Sequence, residues 1–174
     1  MRVFLAIDLP SKVKADLENQ LTEIKREYPM VDWIPSKNYH VTINFFGEID
    51  NDNKNKIVNR LKEFFFDKKT FYLYSTIAGL FINKKIIIYL NFRKEKELLS
   101  IEQQISQKKT GYFPHLTLAR YRIPSKQQYF VLKKRVKKLK IDIFFPVKKT
   151  YLFQTLPHGK FPVYKKISQF NLLP

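Results

Sequence analysis

The 174-residue chain contains no cysteine, only three histidines and one tryptophan. Without cysteine there are no disulfides, no thiol nucleophiles and no thiolate metal sites. Acids are scarce, 15 Asp and Glu against 33 Lys and Arg, which leaves a formal charge of +18. No run of 18 uncharged apolar residues occurs, so no transmembrane helix is expected. Residues 3–9 read as a strand carrying Asp8. They lack the charged head, apolar middle and cleavage site of a signal peptide, and a cytoplasmic location is expected. No linker rich in Gly, Pro or Ser divides the sequence. One domain over residues 1–174, built from two similar lobes, is therefore expected. Neither His40 nor His115 has a carboxylate beside it. No metal and no other cofactor is expected.

What is present is apolar enough, 44% of residues, to form a core. The positive field attracts polyanions and speeds their encounter. An abundance of Lys, Ile, Phe, Tyr and Asn is also what a biased genome produces, so charge alone does not establish nucleic-acid binding.

Residues 3–9 form a continuous apolar run, as in a strand buried on both faces. Val13, Leu17, Leu21 and Ile24 recur at helical spacing up to Pro29. Residues 31–34 read as a short strand or link, with Trp33 in the core or on a cleft wall. A strand is expected over 39–47, then a polar turn over 48–55, then a helix marked by Ile57, Leu61 and Phe64 or Phe65. Strands over 71–81 and 86–90 flank a turn at Asn83, Lys84 and Lys85. A helix over 95–107 ends at Lys108, Lys109, Thr110 and Gly111. A strand over 113–121 and a helix opened by Pro124 and Ser125 follow. One face of that helix carries Lys133, Lys134, Arg135, Lys137, Lys138 and Lys140, and is either solvated or in contact with RNA. Strands over 141–145, 150–155 and 163–170 close the chain, and His158 falls in a loop.

Two stretches stand out, His40-Val41-Thr42 and His115-Leu116-Thr117. Residues two apart on a strand share a face, so each His lies beside its Thr. Each motif strand follows a strand–helix unit, which suggests a weak internal duplication. The pattern predicts an α+β fold of two lobes. Two pseudo-symmetric antiparallel sheets would face a central cleft, with helices on the outside. One His on an apolar strand is more often structural than catalytic. Two His-x-Thr strands in equivalent places suggest a shared site. One imidazole would deprotonate a nucleophile, the other would protonate a leaving oxygen, and the threonine hydroxyls would hold the remaining phosphate oxygens.

The chain resembles the RNA 2',3'-cyclic phosphodiesterases, also called 2'-5' RNA ligases, of the two-histidine phosphoesterase superfamily. The resemblance runs from Met1-Arg2-Val3-Phe4 through Trp33, Asn38-Tyr39-His40-Val41-Thr42, Phe46-Gly47-Glu48 and Gly79-Leu80-Phe81. It continues through Phe113 to Arg120, Leu152 to Leu156, Gly159 and Tyr164. It implies hydrolysis of a terminal 2',3'-cyclic phosphate on RNA to a 2'-phosphomonoester, without a metal. Some members also join tRNA halves through a 2'-5' linkage. By this resemblance His40 is the general acid, His115 the general base, and Thr42 and Thr117 hold phosphate oxygens. Arg120 is a substrate-binding candidate, although simple alternation puts it on the face opposite His115. Lys85 and Tyr89 stand where the family often has Arg and Trp. Lys85 keeps the charge without the bidentate fork. Phe46, Tyr39, Phe113 and Phe81 are candidates for stacking on the terminal base, Phe46 first among them. The expected partner is RNA with a cyclic phosphate end, tRNA halves among the forms, and a monomer is expected. Two other readings remain. One is a phosphodiesterase acting on another small cyclic phosphate or a 2'-5' oligonucleotide. The other is a non-catalytic basic RNA-binding protein.

Overall fold

A computed structural model of the chain describes residues 1–106, 111–122 and 124–174. The strands are β1 (Arg2–Asp8), β2 (Asp32–Trp33), β3 (His40–Glu48), β4 (Phe71–Asn83), β5 (Lys85–Phe92), β6 (His115–Tyr121), β7 (Phe144–Val147), β8 (Lys149–Leu156) and β9 (Val163–Asn171). The helices are α1 (Ser11–Glu27), α2 (Asn51–Phe65), α3 (Lys96–Ser106) and α4 (Lys126–Lys137). One sheet has the order β3-β1-β8-β9, the other β2-β6-β5-β4-β7. Apart from the short β2, the orders correspond: β3 lies beside β1 as β6 lies beside β5. All pairings within the sheets are antiparallel. The bilobal α+β architecture expected from the sequence is the one observed. The expected end of α3 at Lys108, Lys109 and Thr110 lies outside the described residues.

Apolar periodicity explains most elements. Leu17, Leu21 and Ile24 of α1 are fully buried, as are Ile86, Ile88 and Leu90 of β5. Val3, Phe4, Leu5 and Ala6 are all at most 2% exposed, so β1 is covered on both faces. Helix α4 starts with a capping box between Ser125 and Gln128 and buries Leu132 and Val136. Its basic face is not uniform. Arg135 reaches across to Glu27 at 2.6 Å and Glu23 at 3.6 Å on α1, and Lys133 lies over the Tyr129 ring.

Two expectations are corrected. The polar stretch expected to be a turn already belongs to α2, because the Asp50 side chain accepts a 2.7 Å hydrogen bond from the Asn53 amide and caps the helix there. The strand expected over 141–145 begins only at Phe144. Ile141 and Ile143 are buried, but the Ser75 hydroxyl serves their backbone. It donates to the Ile141 carbonyl at 3.1 Å and accepts from the Ile143 amide at 2.9 Å.

Both His-x-Thr strands carry a bulge directly after the threonine. In β3, Ala6 pairs with Thr42 but Leu5 pairs with Asn44, so Ile43 is skipped. In β6, Tyr89 pairs with Thr117 but Ile88 pairs with Ala119, so Leu118 is skipped. A bulge puts one extra residue between two ladder positions and reverses the alternation beyond it. The two strands are also joined directly, since the Tyr112 hydroxyl, just before β6, donates to the Thr42 carbonyl at 2.6 Å. Tyr112→Phe removes that donor while keeping the ring. We expect a loss of about 1–3 kcal/mol in urea unfolding, and an unchanged midpoint would show that the tie carries no stability.

Candidate active site

His40 and His115 face one cleft of about 320 Å³, lined also by Thr42, Thr117, Arg2, Arg120, Thr155 and Tyr164. A larger, shallower depression of about 590 Å³ lies on α4 around Phe130, Val131 and Lys134. That depression contains no proton-transfer group near pH 7, so size alone does not mark the site.

The two imidazoles are held in the same way. His40 Nδ1 lies 2.7 Å from the Asn38 carbonyl, and His115 Nδ1 lies 2.8 Å from the Phe113 carbonyl. A carbonyl oxygen only accepts, so each Nδ1 carries the hydrogen. Each neutral ring therefore keeps its Nε2 lone pair free for proton transfer. Asn38 is itself fixed, being buried and donating through Nδ2 to the Pro162 carbonyl at 2.8 Å.

Each histidine is also boxed by aromatic rings, but the boxes differ in depth. Around His40 stand Phe4 and Tyr164, both at 5.0 Å between centroids, and Phe153 at 6.2 Å. Phe4 and Phe153 are buried. Around His115 stand Phe113 at 5.4 Å, Tyr89 at 6.1 Å and Phe81 at 6.3 Å. Phe113 and Phe81 are exposed. The His40 pKa is lowered to about 4, chiefly by burial and in smaller part by Lys14 and His115, against the opposing effects of the Asn38 carbonyl and Asp8. Asp8 is engaged elsewhere as well, by Lys14 at 2.6 Å and Lys166 at 2.5 Å.

The bulges decide which further side chains reach the cleft. Thr117 and Arg120 are three residues apart, yet both line it, because Leu118 absorbs the extra step. The expectation that Arg120 faces away from His115 is thus corrected. In β3 the same offset brings Phe45, 66% exposed, into the cleft beside Phe4. Phe46, the first candidate for stacking, instead packs against the core and lies outside the cleft lining. Gly47, with φ of 80°, turns the chain just beyond. Tyr39 is fully buried, its hydroxyl bonded to Glu18, and stacks on nothing in the cleft. Lys85 is exposed on the hairpin and lies outside the cleft lining. Trp33 packs on the core, with its indole N–H donating to the Tyr28 carbonyl at 3.0 Å. His158 lies in an exposed loop, as expected.

Tyr89 pairs with Gly79 across the β4–β5 ladder, and its ring occupies the space a side chain there would need. A Cβ at that glycine would sit 2.6 Å from the Tyr89 hydroxyl oxygen, a distance no real contact tolerates. Arg2, Thr155 and Tyr164 complete the far wall, with Arg2 opposite Thr155 in the sheet. Burial raises the Tyr164 pKa, while Arg120 and Arg2, from different sheets, both lower it. Sequence reasoning did not select Arg2, Phe45, Phe4 or Asn38. Only the equal spacing His40-Thr42-Phe45 and His115-Thr117-Arg120 hinted at one of them. Among the described residues, no group of three or more His, Asp and Glu is gathered that could hold a metal ion.

Strands of two sheets thus bring two imidazoles and two threonines onto the lining of one cleft. The model of the LigT-like phosphoesterase family matches residues 7–89. The RNA 2',3'-cyclic phosphodiesterase of Methanocaldococcus jannaschii is 26% identical, covering 98% of this chain and 100% of that protein. A protein of the same name from Methanothermobacter thermautotrophicus is 24% identical over 71% of this chain and 73% of that one. The apo crystal structure of Escherichia coli LigT superposes with a TM-score of 0.78 at 16% identity, covering 99% of this chain and 98% of that one. The resemblance read from the sequence is borne out.

Two outcomes are expected. The His40 imidazole should titrate near 4 by NMR in the free protein. As pH falls from about 6.5 towards 4, the unfolded chain takes up a proton that the folded one refuses, so His40 lowers stability over that window. A His40 titration near 6.5 would contradict the burial described. Gly79→Ala should displace the Tyr89 ring and lower the midpoint of urea unfolding, whereas an unchanged midpoint would show that the ring moves aside at no cost.

Proposed function

We propose that this protein is an RNA 2',3'-cyclic phosphodiesterase that works without a metal ion. The observation that carries the proposal is the pair of Nδ1-anchored imidazoles facing one cleft, each with a threonine two residues along the same strand. The names of the curated relatives support it, as does the basic charge.

In this reading a terminal cyclic phosphate sits between the rings. His115 Nε2 removes a proton from water as its oxygen attacks phosphorus. The bond from phosphorus to O3' breaks, and His40 Nε2–H delivers a proton to that oxygen. The products are a 2'-phosphomonoester and a free 3'-hydroxyl. Thr42 and Thr117 donate hydrogen bonds to the nonbridging oxygens. Arg2 and Arg120 add positive charge on the Tyr164 side. Phe45, Phe81, Phe113 and Tyr89 offer faces to the terminal base. The acid role asks His40 to hold a proton that burial disfavours in the empty cleft. A bound phosphate anion supplies the compensating charge, so proton uptake accompanies substrate binding. If the 5'-hydroxyl of a second RNA replaces water, the same two proton transfers form a 2'-5' linkage, and tRNA halves are substrates of that form.

The test is turnover of an RNA ending in a 2',3'-cyclic phosphate, in excess chelator. The wild type should give the 2'-phosphate, and His40→Ala or His115→Ala should each lower the rate by roughly 10²–10⁴. Activity that vanishes in chelator and returns only with metal would contradict the mechanism. A 3'-phosphate product would show that O2' leaves instead. Tight binding with no product after long incubation would make this an RNA-binding module.

A further inference from the structure

The cleft uses only part of the uncovered face of the second sheet. A line of rings and one guanidinium continues along that face away from His115. Phe113 stacks on His115 with an interplanar angle of 29°. Asn91 pairs with His115, and the Phe92 amide donates to the Pro114 carbonyl at 3.0 Å. Two further steps of this register put Arg93 across from Phe113 on the same face. The Arg93 guanidinium lies 4.8 Å from the Tyr74 ring centre, and its amide donates to the Tyr74 carbonyl at 2.9 Å. Tyr74 stacks in turn on Phe144 of β7, at 6.0 Å and 14°, and on Tyr72 of its own strand, at 6.2 Å and 30°.

Core packing does not account for this line. None of Phe113, Tyr72, Tyr74 and Phe144 belongs to a buried cluster. Phe144 is 62% exposed and Tyr72 46%. The same strands turn Leu73, Phe145 and Val147 to the opposite face, where all three are buried. The contact of Arg93 with Glu95 is long, 3.9 Å, and its side chain is 63% exposed. Solvated rings lying nearly parallel, with a cation among them, suit successive bases and a backbone phosphate of a single strand. The face is continuous with the catalytic cleft through Phe113, and the +18 charge of the chain complements a polyanion.

We propose that Phe113, Arg93, Tyr74, Phe144 and Tyr72 form a track for the single-stranded RNA immediately 5' to the cyclic phosphate. This rests on the function proposed above and narrows its substrate. The enzyme prefers an unpaired 3' end to a mononucleotide, because base faces stacked inside a duplex are not free to meet the rings.

The test compares kcat/KM for a mononucleotide 2',3'-cyclic phosphate, a single-stranded oligonucleotide with the same end, and that oligonucleotide with abasic upstream positions. The wild type should favour the intact oligonucleotide by roughly tenfold or more, mainly through KM, and lose most of this with abasic positions. The double variant Tyr72→Ala/Phe144→Ala, altered at two exposed rings, should show the same flattened length dependence. Mononucleotide turnover without any length dependence would overturn the track and leave the phosphodiesterase reading standing. So would full length dependence in the double variant. If no substrate is turned over, the phosphodiesterase reading fails. The track is then tested by fluorescence anisotropy with a 2'-phosphate-ended oligonucleotide, and equal affinity for intact and abasic strands would overturn it. A wild-type dimer that Phe144→Glu dissociates without changing RNA preference would assign the rings to a second copy instead.

Discussion

The site depends on β3 and β6, strands of different sheets, being held close together. The Tyr112 hydroxyl bond to the Thr42 carbonyl spans the junction between them. Within that frame each histidine is locked by its own chain, through the carbonyl two residues earlier. A hydrogen bond that fixes tautomer and ring direction together requires no third side chain. Each half thus supplies a ring on the lining of the cleft with its Nδ1 already engaged.

The halves match in backbone and differ in what surrounds the rings. The bulge after each threonine and the three-ring box around each imidazole occur twice. Depth breaks the symmetry. Phe4 and Phe153, both buried, back His40, whereas the exposed Phe81 and Phe113 leave His115 at an open rim. The bulges add a second difference, because the same offset presents Phe45 on one side and Arg120 on the other. Duplicated scaffolding thus yields one imidazole backed by buried rings and one beside exposed rings, with Phe45 presented by one strand and Arg120 by the other.

Much of this was legible in the sequence. Unbroken apolar runs marked β1 and β5, helical spacing marked α1 and α4, and the repeated His-x-Thr placed both rings on equivalent strands. Two of the differences share a cause. Alternation is a rule about regular ladders, and a single skipped residue reverses it. Ile43 and Leu118 are ordinary apolar residues that do not announce a bulge, and simple alternation would put Phe46 rather than Phe45 beside Thr42 and turn Arg120 away from Thr117. Arg2 entered the cleft through sheet pairing with Thr155, a contact between distant parts of the chain that no local pattern encodes. The onset of α2 and the late start of β7 likewise depend on single side chains, Asp50 and Ser75, bonding to backbone.

The central claim is that both imidazoles engage a single phosphorus from opposite sides. A crystal structure with a nucleoside vanadate, which mimics five-coordinate phosphorus, tests it most directly. The account predicts His40 Nε2 and His115 Nε2 each at about 2.6–3.2 Å from a different apical oxygen. A vanadate bound by one ring alone, or lodged outside the space between the two, would contradict it.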